Sequence, residues 1–139
     1  MKTKKIQIFI LSIVILSLIG SQACRKDKRQ MDAYFYTSTV PADGGNLSFY
    51  LDNQFVGILP YFSGTPACGD VACLHHTIST GKKHSLVAKN AEGVTVSDCY
   101  FKYGKTIFGG EKMSSGGKQG GSSSMMTGDN QCVLIDIFK

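Results

Sequence analysis

The feature that most restricts this chain is a two-residue period. In NLSFYLDN, residues 46 to 53, Leu47, Phe49 and Leu51 fall on one face and Ser48, Tyr50 and Asp52 on the other. That is the spacing of a strand buried on one side. Asp52-Asn53 then turns the chain into QFVGILP, so residues 46 to 59 read as a β-hairpin. Further strands are expected at AYFYTST (33 to 39), LHHTIS (74 to 79), HSLVAKN (84 to 90), VTVSDCYFKY (94 to 103) and CVLIDIF (132 to 138). No apolar run has a helical period. Six or seven short strands broken by glycine and proline predict an all-β protein, a small antiparallel β-sandwich.

The first 23 residues stand apart from that fold. Lys2, Lys4 and Lys5 precede an apolar run from Ile6 to Gly20, too short for the roughly 20 residues of a membrane-spanning helix. Small Ser21 and Ala23 follow, which is the form of a secretory signal peptide cleaved after Ala23. The segment LIGSQAC resembles the lipobox of bacterial lipoproteins, with Ser21 where that pattern usually has leucine. The resemblance implies a diacylated Cys24 and membrane attachment through a lipid. Acylation of Cys24 leaves an even set of cysteines, Cys68, Cys73, Cys99 and Cys132, in an oxidising compartment.

Charge placement removes nucleic acid as a partner. The chain carries +5 overall, but the signal holds three lysines and RKDKR, residues 25 to 29, holds four basic groups and one acid. Gln30 to Lys139 has eight lysines against nine acids. The basic stretch belongs to a tether, residues 24 to 32, beside the proposed anchor, where it either meets an anionic leaflet or is simply solvated. About 110 residues follow, enough for one domain with one core, residues 33 to 139.

Residues 109 to 128, GGEKMSSGGKQGGSSSMMTG, contain seven glycines and five serines. That composition predicts a flexible loop, because so little apolar surface does not offset the ordering entropy. It reads as a tolerated insertion or as a binding loop offering Met113, Met125 and Met126.

The four remaining cysteines permit three pairings, and sequence does not choose among them. Locality favours Cys68–Cys73, closing a tight loop, with Cys99–Cys132 closing the base of the glycine-serine segment. The stretch TPACGDVACLHH also admits a metal or redox site on Cys68, Cys73 and His75, with His76 or His84 as further ligands. Alternation in LHHTIS sends His75 and His76 to opposite faces, and C-x4-C is neither a standard zinc nor a thioredoxin spacing. No cofactor is expected.

The order of LSFYLDNQFVGILP and STGKKHSLVAKNAEG, within residues 47 to 93, resembles the PEGA-type β-sandwich modules of bacterial envelope proteins. The turn here is Asp52-Asn53 where that pattern prefers Asp-Gly, and residues 61 to 73 are inserted. The signal, short tether and cysteine-bearing sandwich are similar to small lipoproteins of Bacteroidetes-type bacteria. The resemblance implies an envelope or binding module without catalytic residues and supplies no ligand; another envelope protein or a glycan is the expected class of partner. Surface-exported lipoproteins of that type carry acidic residues just after the cysteine, so RKDKR at that place favours the periplasmic face of the outer membrane. No enzyme signature contradicts it: Gly81-Lys82 lacks the rest of a phosphate loop, and no nucleophile elbow occurs. Asp52, Asp70, Asp98 and Asp136 read as turn or solvated carboxylates. Tyr34, Phe35, Tyr36, Tyr100, Phe101 and Tyr103 read as core and cross-strand residues, with a sugar-stacking platform as the alternative.

Overall fold

The structure, a computed structural model, describes residues 29–40, 45–127 and 132–138; the proposed signal peptide and Cys24 lie outside them. Nine strands and no helix are found among the described residues: β1 (Gln30–Tyr36), β2 (Leu47–Leu51), β3 (Gln54–Leu59), β4 (Leu74–Ser79), β5 (Lys83–Lys89), β6 (Thr95–Lys105), β7 (Glu111–Gln119), β8 (Gly121–Thr127) and β9 (Cys132–Phe138). They form a four-stranded sheet, β4-β1-β9-β8, and a five-stranded sheet, β3-β2-β5-β6-β7. The expected β-sandwich is present, and β1 takes in residues assigned from sequence to the tether.

The hairpin forms because its turn residues tolerate left-handed backbone. Asp52 and Asn53 have φ of 50° and 68°, the two consecutive positive values of the turn that matches strand twist. Leu47, Phe49 and Leu51 are buried, as the period requires. Their face meets Ala33, Phe35, Val133, Ile135 and Ile137 of the opposite sheet, together with Leu86, Ala88, Cys99 and Phe101, in one apolar core. The rings of Phe35 and Phe49 lie 4.7 Å apart across it.

Two expectations are corrected. One strand pair is parallel: β1 runs alongside β9, with Asp32 opposite Cys132 and Tyr36 opposite Asp136. Side-chain alternation carries no information on strand direction, so sequence could not show it. The glycine-serine segment 109–128 is also not a flexible loop; it contains β7 and β8. Composition misleads there because two of its glycines serve packing. A Cβ on Gly117 would stand 2.9 Å from both Asp98 O and Cys99 Cβ, and one on Gly116 would stand 2.9 Å from the Tyr100 ring. Missing side chains let β7 lie tightly on β6, through a register shift at Asp98/Cys99. Gly120, with φ of 61°, then passes the chain from the five-stranded sheet to the four-stranded one. Met113 and Met126 pack against the core from these strands, while Met125 remains exposed.

Candidate functional site

The outer faces of the two sheets differ. On the four-stranded sheet, residues 60–73 fold back over the strands. Thr37 N–H donates to Pro60 O (2.9 Å) and Phe62 N–H to Thr37 O (3.0 Å), which starts the segment along the end of β1. Tyr36, Cys73 and Leu134 are buried beneath it with Tyr34, Phe62 and Cys68 packed around them, forming a second, smaller apolar cluster. Asp136, also covered, accepts hydrogen bonds from Ser38 N–H (2.8 Å) and Ser38 Oγ (2.5 Å). The segment turns at Gly69, φ 88°, and Ala72 N–H donates to Asp70 Oδ1 (2.9 Å).

The disulfide that closes this segment joins Cys68 to Cys132, with Cα atoms 6.4 Å apart; Cys73 and Cys99 are free and buried. This corrects both expected pairs, Cys68–Cys73 and Cys99–Cys132. Cys99 lies on β6 with the core-facing residues, whereas Cys132 is level with exposed Asp32 on the outer side of β9. The two sulfurs therefore point away from each other. Cys68 meets Cys132 because the folded-back segment crosses that outer side. Burial, then the charge of Asp70, pushes the Cys73 thiol up; burial also raises Cys99 against the hydrogen bond from Ser97. Both thiols are thus held away from the reactive thiolate form.

The proposed metal set is not assembled. The Cys68 sulfur is bonded to Cys132, and His75 Nε2 contacts Asp32 Oδ1 at 2.8 Å with its ring against Tyr34. Among the described residues no group of three or more His, Cys, Asp or Glu side chains is gathered as a metal ion would need. His76 is exposed on β4, and His84 is buried elsewhere.

On the five-stranded sheet the outer face is open, and its organising residue is Asp52. Its Oδ1 accepts from Ser85 N–H (2.9 Å), and its Oδ2 accepts from Lys82 Nζ (2.7 Å) and His84 Nδ1 (2.9 Å). His84 Nε2 faces Ser79 O at 2.9 Å. Carboxylate and carbonyl oxygens only accept, so both contacts are satisfied together when each ring nitrogen carries a hydrogen. Burial works against ionisation of Asp52, but the hydrogen bonds from Lys82, Ser85 and His84 outweigh it and hold its carboxyl below the ordinary value.

Next to this cluster lies a cleft of about 500 Å³. Ser85, Tyr100 and Gly117 line it together with Lys82, Lys83, Lys118, Asp52 and Asp98. The Lys83 ammonium stands 3.8 Å from the Tyr100 ring centroid, and Lys118 Nζ is 4.0 Å from Asp98 Oδ2. Gly117 lines the cleft, and a side chain on neighbouring Gly116 would press on the Tyr100 ring. Three ammonium groups face two carboxylates, one of them already engaged by His84. The site thus presents one aromatic surface and a small excess of positive charge, and it contains no nucleophile–base pair.

Tyr100 belongs to the aromatic group identified from sequence, but Phe101 and Tyr103 turn into the core and Tyr36 into the covered cluster. Lys82, Lys83 and Lys118 were not singled out as binding residues. The available signal was parity: Lys83, Ser85, Asp98 and Tyr100 all occupy outward positions of paired strands. Comparison of the chain with protein-family models, curated proteins and solved structures finds no match.

Proposed function

We propose that the chain is a lipid-anchored, non-catalytic binding module of the bacterial envelope, which presents the cleft of its five-stranded sheet to an acidic glycan. The observation that carries the reading is the cleft itself: an aromatic ring with Lys82, Lys83 and Lys118 around it, on the sheet face that no described loop covers. A sugar would stack its apolar face on the Tyr100 ring in place of Lys83, which swings off that face to pair, with the other lysines, with the sugar's carboxylate or phosphate. The signal and lipobox-like LIGSQAC support attachment through Cys24, on the periplasmic side of the outer membrane. The competing reading, a metal-binding or redox lipoprotein using Cys68, Cys73 and His75, gains no support from a Cys68 committed to a disulfide.

Two experiments test the two halves. A palmitate analogue fed to expressing cells is expected to label the full chain and not the Cys24→Ser variant; an unlabelled full chain overturns the anchor. For the cleft, isotope-labelled protein is titrated with muropeptides, which carry both sugar rings and carboxylates. Amide shifts centred on Tyr100 and Gly117, lost in Lys83→Ala/Lys118→Ala, are expected. Shifts located elsewhere, or none at all, would sink the glycan reading.

A further inference from the structure

The geometry points to a membrane contact at the tip of the β6–β7 hairpin: Ile107 and Phe108 enter the lipid leaflet that holds the anchor, so that the sandwich stands on this end. The inference rests on the anchored reading, which brings the leaflet to this end of the sandwich.

Ile107 and Phe108 are 94% and 93% exposed. A single exposed apolar side chain needs no explanation, but turns of this kind ordinarily carry Gly, Asn, Asp or Ser. Here two large apolar residues stand side by side in a turn whose backbone is well bonded. Thr106 N–H donates to Gly110 O (2.6 Å), Gly109 N–H donates to Thr106 O (3.0 Å), and Gly109 has φ of 83°. A small rigid wedge results, with exposed Lys105 and Lys112 on its two strands.

Its position is what selects a lipid surface as the occupant. The described chain begins at Arg29, and the Arg29 guanidinium is 3.2 Å from Glu111 Oε1, at the base of the same hairpin. Arg29 O accepts from Thr80 N–H (2.7 Å), and Gly81 N–H donates to Tyr103 O (2.6 Å), which ties the start of β1, the β4–β5 turn and β6 together. Five residues separate Arg29 from Cys24, a reach of at most about 18 Å. The wedge projects two to three residues past the Lys105–Glu111 pair, about 10 Å at strand rise. Anchor and wedge therefore reach the same plane. Exposed Lys105 and Lys112 add positive charge at the hairpin, where anionic headgroups would lie, and the sequence between Cys24 and Arg29 is itself basic. Tyr100 lies seven residues before Ile107, at most about 23 Å away at strand rise, which sets the ring of the cleft back from the tip.

The chain has no tryptophan, so a single introduced one reports its own surroundings. Phe108→Trp and Val94→Trp are compared; Val94 is 56% exposed in the turn at the opposite end of β6. Each is prepared in the acylated protein and in the mature chain carrying Cys24→Ser, then mixed with vesicles of phosphatidylglycerol and phosphatidylethanolamine containing brominated acyl chains. Blue-shifted and quenched emission from position 108, with position 94 unchanged, is expected in both preparations. Quenching of both positions alike, or of neither, overturns the inference. In flotation of the Cys24→Ser chain, Ile107→Ser/Phe108→Ser is expected to lower vesicle partition by about tenfold or more. Equal partition would overturn it too. Palmitate labelling reports on Cys24 independently, so failure of the anchor and failure of the wedge are read separately.

Discussion

The two outer faces of this sandwich answer the same problem in opposite ways. Over the four-stranded sheet the chain lays its own segment, residues 60–73, and buries Tyr36 and Leu134 under it. Over the five-stranded sheet no described segment is laid. That face holds outward Ser85, Asp98 and Tyr100, with lysines leaning on the aromatic rings: Lys83 on Tyr100 and Lys89 on Tyr50. A face that is apolar in the middle needs a cover, and a cover needs a fastening. A face of alternating polar and aromatic residues can stay open and be used.

The comparison breaks most visibly at the fastening. The Cys68–Cys132 bond closes a separation of 64 residues, and a chain-entropy model assigns it about 4 kcal/mol. Cys68→Ser/Cys132→Ser is expected to lower unfolding free energy by about that amount, read from denaturant midpoints. Thiol titration of the acylated protein unfolded without reductant is expected to find two free thiols, Cys73 and Cys99. Finding none would mean that the cover is fastened differently.

On the open face the largest effect is expected at Gly117. Its Cβ would meet the backbone of Asp98 and the Cβ of Cys99, neither of which can swing aside. Gly117→Val is expected to cost about 2 kcal/mol, in the range of overpacking. Gly116→Ala is expected to cost less, because the ring of Tyr100 can move; the same change should weaken muropeptide binding, seen by titration. If both variants are as stable as the parent, the glycines do not set the approach of β7 to β6.

Asp52 sharpens the contrast through pH. Its carboxyl is held below the ordinary value in the folded chain, while the unfolded chain titrates near 3.9. The folded state therefore binds the proton more weakly, and this contribution is complete above about pH 4 and lost as pH falls through the lowered folded value. Asp52→Asn is expected to flatten stability below about pH 4, and to cost about 1 kcal/mol near neutrality by leaving Lys82 and His84 without their carboxylate partner. Urea midpoints across that range provide the check; an unchanged acid limb would remove Asp52 from the account. The smallest effect is expected from Lys83→Ala, about 0.5 kcal/mol for an exposed cation over a ring. That variant should therefore report on ligand binding with little change in thermal midpoint.

Legibility followed the range over which each cause acts. The hairpin of β2 and β3 was readable because alternation and an Asp-Asn turn are local, and β4 and β9 fall on the expected residues. The cysteine pairing was not readable by locality, although CVLIDIF held a clue. Val133, Leu134 and Ile135 are all buried, which departs from strict alternation and marks a strand covered on both faces. One side of β9 is core and the other lies under residues 60–73, and it is on that second side that Cys68 arrives. The cleft was the least legible part. Lys82, Lys83 and Lys118 are separated by up to 36 residues, and each resembles a solvated surface charge until β5, β6 and β7 are set side by side.

By itself the sequence determined the class of fold and the β2–β3 hairpin with its Asp52-Asn53 turn, because each is encoded by neighbours within a few residues. Tertiary structure decided which cysteines bond, which face is covered, and that a stretch of glycine and serine becomes two strands. The physical reason is the same in each case. A glycine's missing side chain, an outward lysine or a thiol has no fixed meaning until another strand supplies the atom it approaches or avoids.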